Sequence, residues 1–105
     1  MILLVALLVA AGPYAQAQRL LRQDRPHEAL VLLQAARAKE PRSAAVATDL
    51  GSTLLRLGKR DEAEAAFRSA IALDPRRDSA YVQLATFYLD DPRRWDEAPA
   101  LLALL

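Results

Sequence analysis

The sequence predicts an all-α fold built as a short array of antiparallel helix pairs, and three observations carry that prediction. The first is a period: Gly51, Leu54, Ala63, Phe67, Ala70 and Pro75 are preceded, thirty-four residues earlier, by Ala17, Leu20, Ala29, Leu33, Ala36 and Pro41, conservative or identical in kind. A fixed period of this size marks stacked supersecondary units that bury their apolar faces only against neighbours. The second is punctuation: Gly58 suits the left-handed residue that closes a helix, and Pro41 and Pro75 stop one. The third is composition, 53% hydrophobic and 26% charged over 105 residues, which fits one small folded domain and neither a disordered tail nor a polytopic membrane protein.

Taken in chain order, the amino terminus opens with an uncharged apolar run, Ile2 to Ala11, followed by the breakers Gly12-Pro13 and the small-x-small triplet Ala15-Gln16-Ala17. That order reads as a signal-peptide-like segment, 1–17, cut after Ala17, with 18–105 as the folded domain. As a helix rising 1.5 Å per residue, the run covers only about half of a ~30 Å hydrocarbon core, so cleavage or peripheral membrane anchoring is expected instead of a span. The expected location is therefore exported or periplasmic. The alternative is a buried helix of the array, which would leave the chain cytoplasmic or membrane-associated.

Helices are expected over 13–23, 26–39, 44–57, 61–73, 78–89 and 96–105. Asp61, with Glu64 three residues on, reads as a capping box opening the fourth. Going forward, Ala47, Leu50, Gly51 and Leu54 return as Tyr81, Leu84, Ala85 and Tyr88. After one extra residue near Pro92, Ala63, Phe67 and Ala70 return as Ala98, Leu102 and Leu105. The small residues Ala17, Gly51 and Ala85, and again Ala29, Ala63 and Ala98, allow close helix approach, while Leu33, Phe67 and Leu102 fill the gaps between layers. Tyr81, Phe87, Tyr88 and Trp95 are expected to pack between helices, not to form a ligand platform. The last residues, Leu101 to Leu105, are apolar on nearly every side and call for a cover, through truncation of a longer chain, a further segment or self-association.

These residues resemble the tetratricopeptide repeat family, whose pattern runs from an aromatic through Leu-Gly, an aromatic, Ala, Phe and Ala to Pro. The middle repeat, Ala44 to Arg77, matches most fully and ends in Ile-Ala-Leu-Asp-Pro, with Ala47 standing where the family favours an aromatic. The resemblance implies a right-handed superhelical solenoid of about two and a half to three repeats, at about 10–43, 44–77 and a truncated 78–105. It also implies that the first helix of each repeat lines a concave groove for a protein or peptide segment. Gln18, Arg22, Thr48, Ser52, Leu55, Arg56, Ser79, Val82, Thr86 and Leu89 would face that partner. Arg22 and Arg56, one repeat apart, would project in parallel toward carboxylates of an acidic segment, or else be merely solvated. Family members that clamp an acidic carboxyl-terminal peptide use Lys and Asn where this chain has Thr48 and Ser52, so that mode is not expected.

Other function classes lack their residues. Fourteen Lys and Arg against thirteen Asp and Glu leave a net charge of +1, far from the excess that neutralises nucleic-acid phosphates. The pairs Arg76-Arg77 and Arg93-Arg94, each near an Asp, read as solvated helix-end charges. With no cysteine there is no disulfide, thiolate metal site, thiol nucleophile or lipid-modified cysteine. The single histidine, His27, has no second histidine one turn on, and Gly12, Gly51 and Gly58 form no phosphate loop. Asp61-Glu62 and Asp90-Asp91 lie at helix ends, where caps and dipoles explain them, so neither an enzyme nor a metal or cofactor site is expected. Three functions stay open: an exported adaptor, an accessory repeat region of a larger membrane-associated or enzymatic protein, and a self-association module acting through the apolar carboxyl end.

Overall fold

Each helix starts and stops where backbone chemistry requires. A computed structural model describes residues 12–104, which form α1 (Pro13–Arg22), α2 (Pro26–Lys39), α3 (Ala44–Arg56), α4 (Arg60–Leu73) and α5 (Asp78–Leu89). A 3-10 turn at Pro92–Arg94 then leads into α6 (Glu97–Leu102). Pro13 and Pro26 open α1 and α2 at the first helical position, where the missing N–H has no partner to lose. Ser43 caps α3, its Oγ accepting from the Val46 N–H at 3.3 Å. Gly58 closes the α3–α4 turn at φ +78°, and Asp24, one period earlier, takes the same left-handed role at φ +57°. Asp is among the few non-glycine residues that tolerate this region. The apolar run Ile2 to Ala11 lies outside the described residues. The expected cut after Ala17 would fall within α1, where Ala17 is fully buried.

Helices α1–α2, α3–α4 and α5–α6 pack as pairs, and each pair stacks on the next through α2–α3 and α4–α5, giving a body of 54 × 25 × 19 Å. A continuous core runs through it, with Ala17, Leu33, Leu50, Leu54, Ala63, Phe67, Leu84 and Tyr88 among its members. The tightest approach is at Gly51. A Cβ added there would lie 2.7 Å from both Cδ1 and Cε1 of Phe67, so the α3 backbone rests directly on the ring. The ring is fully buried, and burying a phenylalanine side chain contributes roughly 1.5–3 kcal/mol. Tyr81, Phe87 and Tyr88 are buried between helices as expected, whereas Trp95 is 54% exposed and donates its Nε1–H to the Leu89 carbonyl at 2.7 Å. Leu102 also departs from expectation: it is 40% exposed, and Leu101 packs on the core in its place.

Two further expectations are corrected at the α4–α5–α6 junction. The helix α4 begins at Arg60 with Lys59 as its N-cap, and Asp61 makes no capping bond. Glu64 faces the next repeat instead, because a guanidinium offers a carboxylate two charged donors where a cap offers one neutral N–H. Arg94, read from sequence as solvated, supplies that guanidinium: Nη1 and Nη2 donate to the two Glu64 oxygens at 2.6 and 2.7 Å, and Nε donates to Glu97 at 2.5 Å. The 3-10 turn made by the extra residue points Arg94 inward, with its guanidinium 4.5 Å from the centre of the Tyr88 ring. Arg60 stacks at the same distance on Phe87, and the Tyr88 hydroxyl donates to Glu64 at 3.1 Å. One carboxylate thus ties α4 to α5 and to the 3-10 turn that leads into α6. The Arg94 bonds hold it at about 2, against a smaller upward push from burial.

Two outcomes follow. Gly51→Ala adds helix propensity, worth about 1 kcal/mol, but drives a methyl group into a ring that cannot move aside, which costs roughly 1–3 kcal/mol. Thermal or urea unfolding is expected to show net destabilisation, and a stabilised Gly51→Ala protein would contradict the packing described. Because the Glu64 carboxyl is depressed when folded, its contribution is complete above pH ~4.5 and is lost as pH falls through about 2. Its size is on the order of 2–3 kcal/mol, so the wild-type melting temperature should fall more steeply than that of Glu64→Gln below pH ~4.5. Parallel acid profiles would show that the carboxylate contributes nothing specific.

Candidate functional site

The first helices α1, α3 and α5 carry the residues expected to meet a partner, and two side-chain hydrogen bonds join them edge to edge. The Tyr14 hydroxyl donates to Asp49 Oδ2 at 2.6 Å, linking α1 to α3. The Ser52 hydroxyl donates to Gln83 Oε1, linking α3 to α5. Asp49 and Gln83 occupy the same position of the period, so successive seams close on equivalent residues of the following helix. Burial pushes the Tyr14 phenol up to about 12, helped by its bond to Asp49 and the charge there, while the positive charge of Arg77 and a bond with Gln18 act the other way. The phenol is therefore a neutral donor, not a catalytic base, over the physiological range.

The expected partner-facing residues fall into three groups. Thr48 is removed from the set: it is 2% exposed, and its Oγ1–H turns back onto the Ala44 carbonyl at 2.8 Å. That back-bonding satisfies a short hydroxyl within its own helix. Gln18, Ser52 and Leu55 are half-buried, Ser52 at the α3–α5 seam and Leu55 against the core. Arg22, Arg56, Ser79, Val82, Thr86 and Leu89 are exposed. Arg56 forms an ion pair with Asp24, the left-handed turn residue, whereas Arg22 has no ion pair or hydrogen bond among the described residues.

Tyr14, Asp24, Asp49 and Gln83 were not singled out by sequence reasoning, which followed only the positions the family resemblance implied. The period held the signal for two of them: Asp49 and Gln83 are polar at one shared position, each just before a core leucine, Leu50 and Leu84. Arg77, expected as a solvated charge, is half-buried, and its Nε has no acceptor among the described residues.

A cavity of about 610 Å³ opens between α2 and α4, with Leu50 and Leu54 in its lining beside Gln34, Arg37 and Glu62. None of the expected partner-facing residues borders it. Among the described residues, no group of three or more His, Cys, Asp or Glu side chains is placed to hold a metal ion, and no helix is long and apolar enough to cross a membrane.

Comparison with known proteins places this geometry. The profile of the tetratricopeptide repeat family matches residues 20–85, well over half of the chain. Among solved structures, the first tetratricopeptide domain of Spaghetti (RPAP3), bound to the HSP90 peptide SRMEEVD, superposes with a TM-score of 0.79 at 20% identity, covering 88% of this chain and 74% of that one. The second such domain of the same protein, bound to the same peptide, gives 0.75 at 18% identity, covering 89% of this chain and 88% of that one. No curated protein matches the sequence. The thirty-four-residue period, the paired helices and the matched profile agree, and the chain belongs to the tetratricopeptide repeat family.

Proposed function

We propose that this chain is a protein-interaction adaptor, not an enzyme, and that it receives a peptide or protein segment on the groove formed by its first helices, centred on α1 and α3. The observation that carries the reading is the pair Arg22 and Arg56. They stand one period apart and are both exposed, which supports a segment meeting one guanidinium on each of two successive first helices. The partner is accordingly an acidic segment. The Arg56–Asp24 ion pair does not block it, since both side chains are largely in water and an exposed pair is worth only about 0–1 kcal/mol, little enough for a ligand carboxylate to replace Asp24.

The peptide in both RPAP3 structures is also acidic, which supports the class of partner. The Lys and Asn clamp of some family members is not the mode proposed here, because Thr48 is buried and bonded within α3 and Ser52 is engaged with Gln83. Contacts to this chain therefore rest on the two arginines and on the half-buried Gln18 and Leu55.

The test is fluorescence anisotropy with a labelled acidic peptide, SRMEEVD and a scrambled peptide of the same composition. Binding should fall with added salt, SRMEEVD should bind no better than its scramble, and the double charge reversal Arg22→Glu, Arg56→Glu should weaken binding about tenfold, or ~1.4 kcal/mol. Undiminished binding by the double variant, or no binding of acidic peptides at all, would contradict the proposal.

We further propose export directed by Ile2 to Ala11, supported by the uncharged run and the triplet that follows it. Intact mass of periplasmic, membrane and cytosolic fractions after bacterial expression tests this. A periplasmic species beginning at Gln18 is the expected result, although it would lack Tyr14, the buried Ala17 and half of the ten-residue α1; cytosolic protein retaining Met1 would contradict export.

A further inference from the structure

Arg22 and Arg56 stand at the same place in successive repeats, and the third repeat puts Asp90 there. Arg22 ends α1 and Arg56 ends α3, where a cation meets the negative end of the helix dipole. Asp90 directly follows α5, so the same dipole opposes its charge. Its neighbour Asp91 is accounted for, since its side chain accepts from the Arg93 N–H and caps the 3-10 turn. The helix-end explanation expected for both residues therefore holds for Asp91 alone. Asp90 is exposed, and among the described residues its side chain has no hydrogen bond or ion pair. This is not an effect of the array's open end. Arg56 finds its partner in the repeat before it, at Asp24, and the position equivalent to that partner for Asp90 is Gly58, which has no side chain.

We infer that the segment held on the first helices carries its charges in a fixed order: acidic opposite Arg22, acidic opposite Arg56 and basic opposite Asp90, one charged residue to each repeat. The inference rests on the acidic-segment reading above and adds its register. The Tyr14–Asp49 and Ser52–Gln83 bonds set α1, α3 and α5 side by side, and packed helices lie about 8–10 Å apart. A segment in the polyproline II conformation advances ~3.1 Å per residue and completes a turn every three residues, or about 9 Å. Charges three residues apart then fall on one face of the segment at the spacing of the helices. A uniformly acidic segment matches the first two positions but sets like charges together at the third. Asp90 thus discriminates against such a partner by repulsion and attracts one with a basic residue at that place.

Fluorescence anisotropy of labelled peptides with the full chain tests this. EPPEPPK and its reverse, KPPEPPE, present the inferred order in the two chain directions, EPPKPPE has the same composition with its lysine in the middle, and EPPEPPE is acidic throughout. One of the two end-lysine peptides should bind the wild-type protein about threefold tighter than either EPPKPPE or EPPEPPE, the size expected of exposed charge pairs. Asp90→Arg should reverse the preference over EPPEPPE, so that the ratio of the two affinities falls roughly tenfold with unchanged circular dichroism. Asp90→Asn, which removes the charge at nearly the same shape, should abolish that preference without reversing it. Equal affinity of the wild-type protein for all four peptides, or a ratio that neither variant moves, would overturn the charge order and leave acidic-segment binding standing. Binding of none of the four would overturn the acidic-segment reading and the charge order with it.

Discussion

Everything else in this molecule depends on how closely α3 lies on α4, and that distance is set by Gly51 against the Phe67 ring. Glycine in mid-helix sacrifices about 1 kcal/mol of propensity relative to alanine. Here the sacrifice lets an aromatic side chain take the space that a methyl group would fill, and the ring then closes the core between layers. With α3 fixed on that side, its other faces are committed: Leu50 and Leu54 join the core, while Asp49 and Ser52 meet α1 and α5. The partner-facing edge is thus a consequence of packing on the other side of the same helix.

The two ends of the array solve the stacking problem differently. At the α1–α3 seam a neutral phenol meets a carboxylate, a single directional bond that sets two first helices side by side. At the α4–α5–α6 junction the link is ionic and aromatic, with Arg94 shared between Glu64, Glu97 and the Tyr88 ring. The extra residue of the third repeat, which breaks the period, is what brings Arg94 into that position. An irregularity in the repeat has become its strongest electrostatic tie. Beyond it, α6 is short, and the exposed leucines and Val82 leave the last repeat richer in open apolar surface than the first two.

Much of this was legible from residue type and spacing alone. The helix order, the left-handed Gly58, the stops before Pro41 and Pro75, and the burial of Leu33 and Phe67 follow from a period that any stacked helical array must obey. The failures share a cause. Glu64, Arg94 and Leu102 take their roles from which neighbouring helix is within reach, and Thr48 from a bond back to its own helix, none of which local sequence or place in the pattern reveals. A carboxylate three residues after an Asp looks like a cap until a guanidinium thirty residues away competes for it. The partner-facing edge was legible only as a set of positions, because orientation around a helix depends on the packing that fixes its rotation.

The most direct measurement is nuclear Overhauser spectroscopy on labelled protein, looking for contacts between the Gly51 α-protons and the Phe67 ring. The account predicts strong cross-peaks from those protons to the ring δ and ε protons, together with upfield ring-current shifts at Gly51. Gly51 α-protons at ordinary chemical shifts, with no cross-peak to Phe67, would mean that α3 and α4 are not held at this distance and that the arrangement of the first helices built on it is wrong.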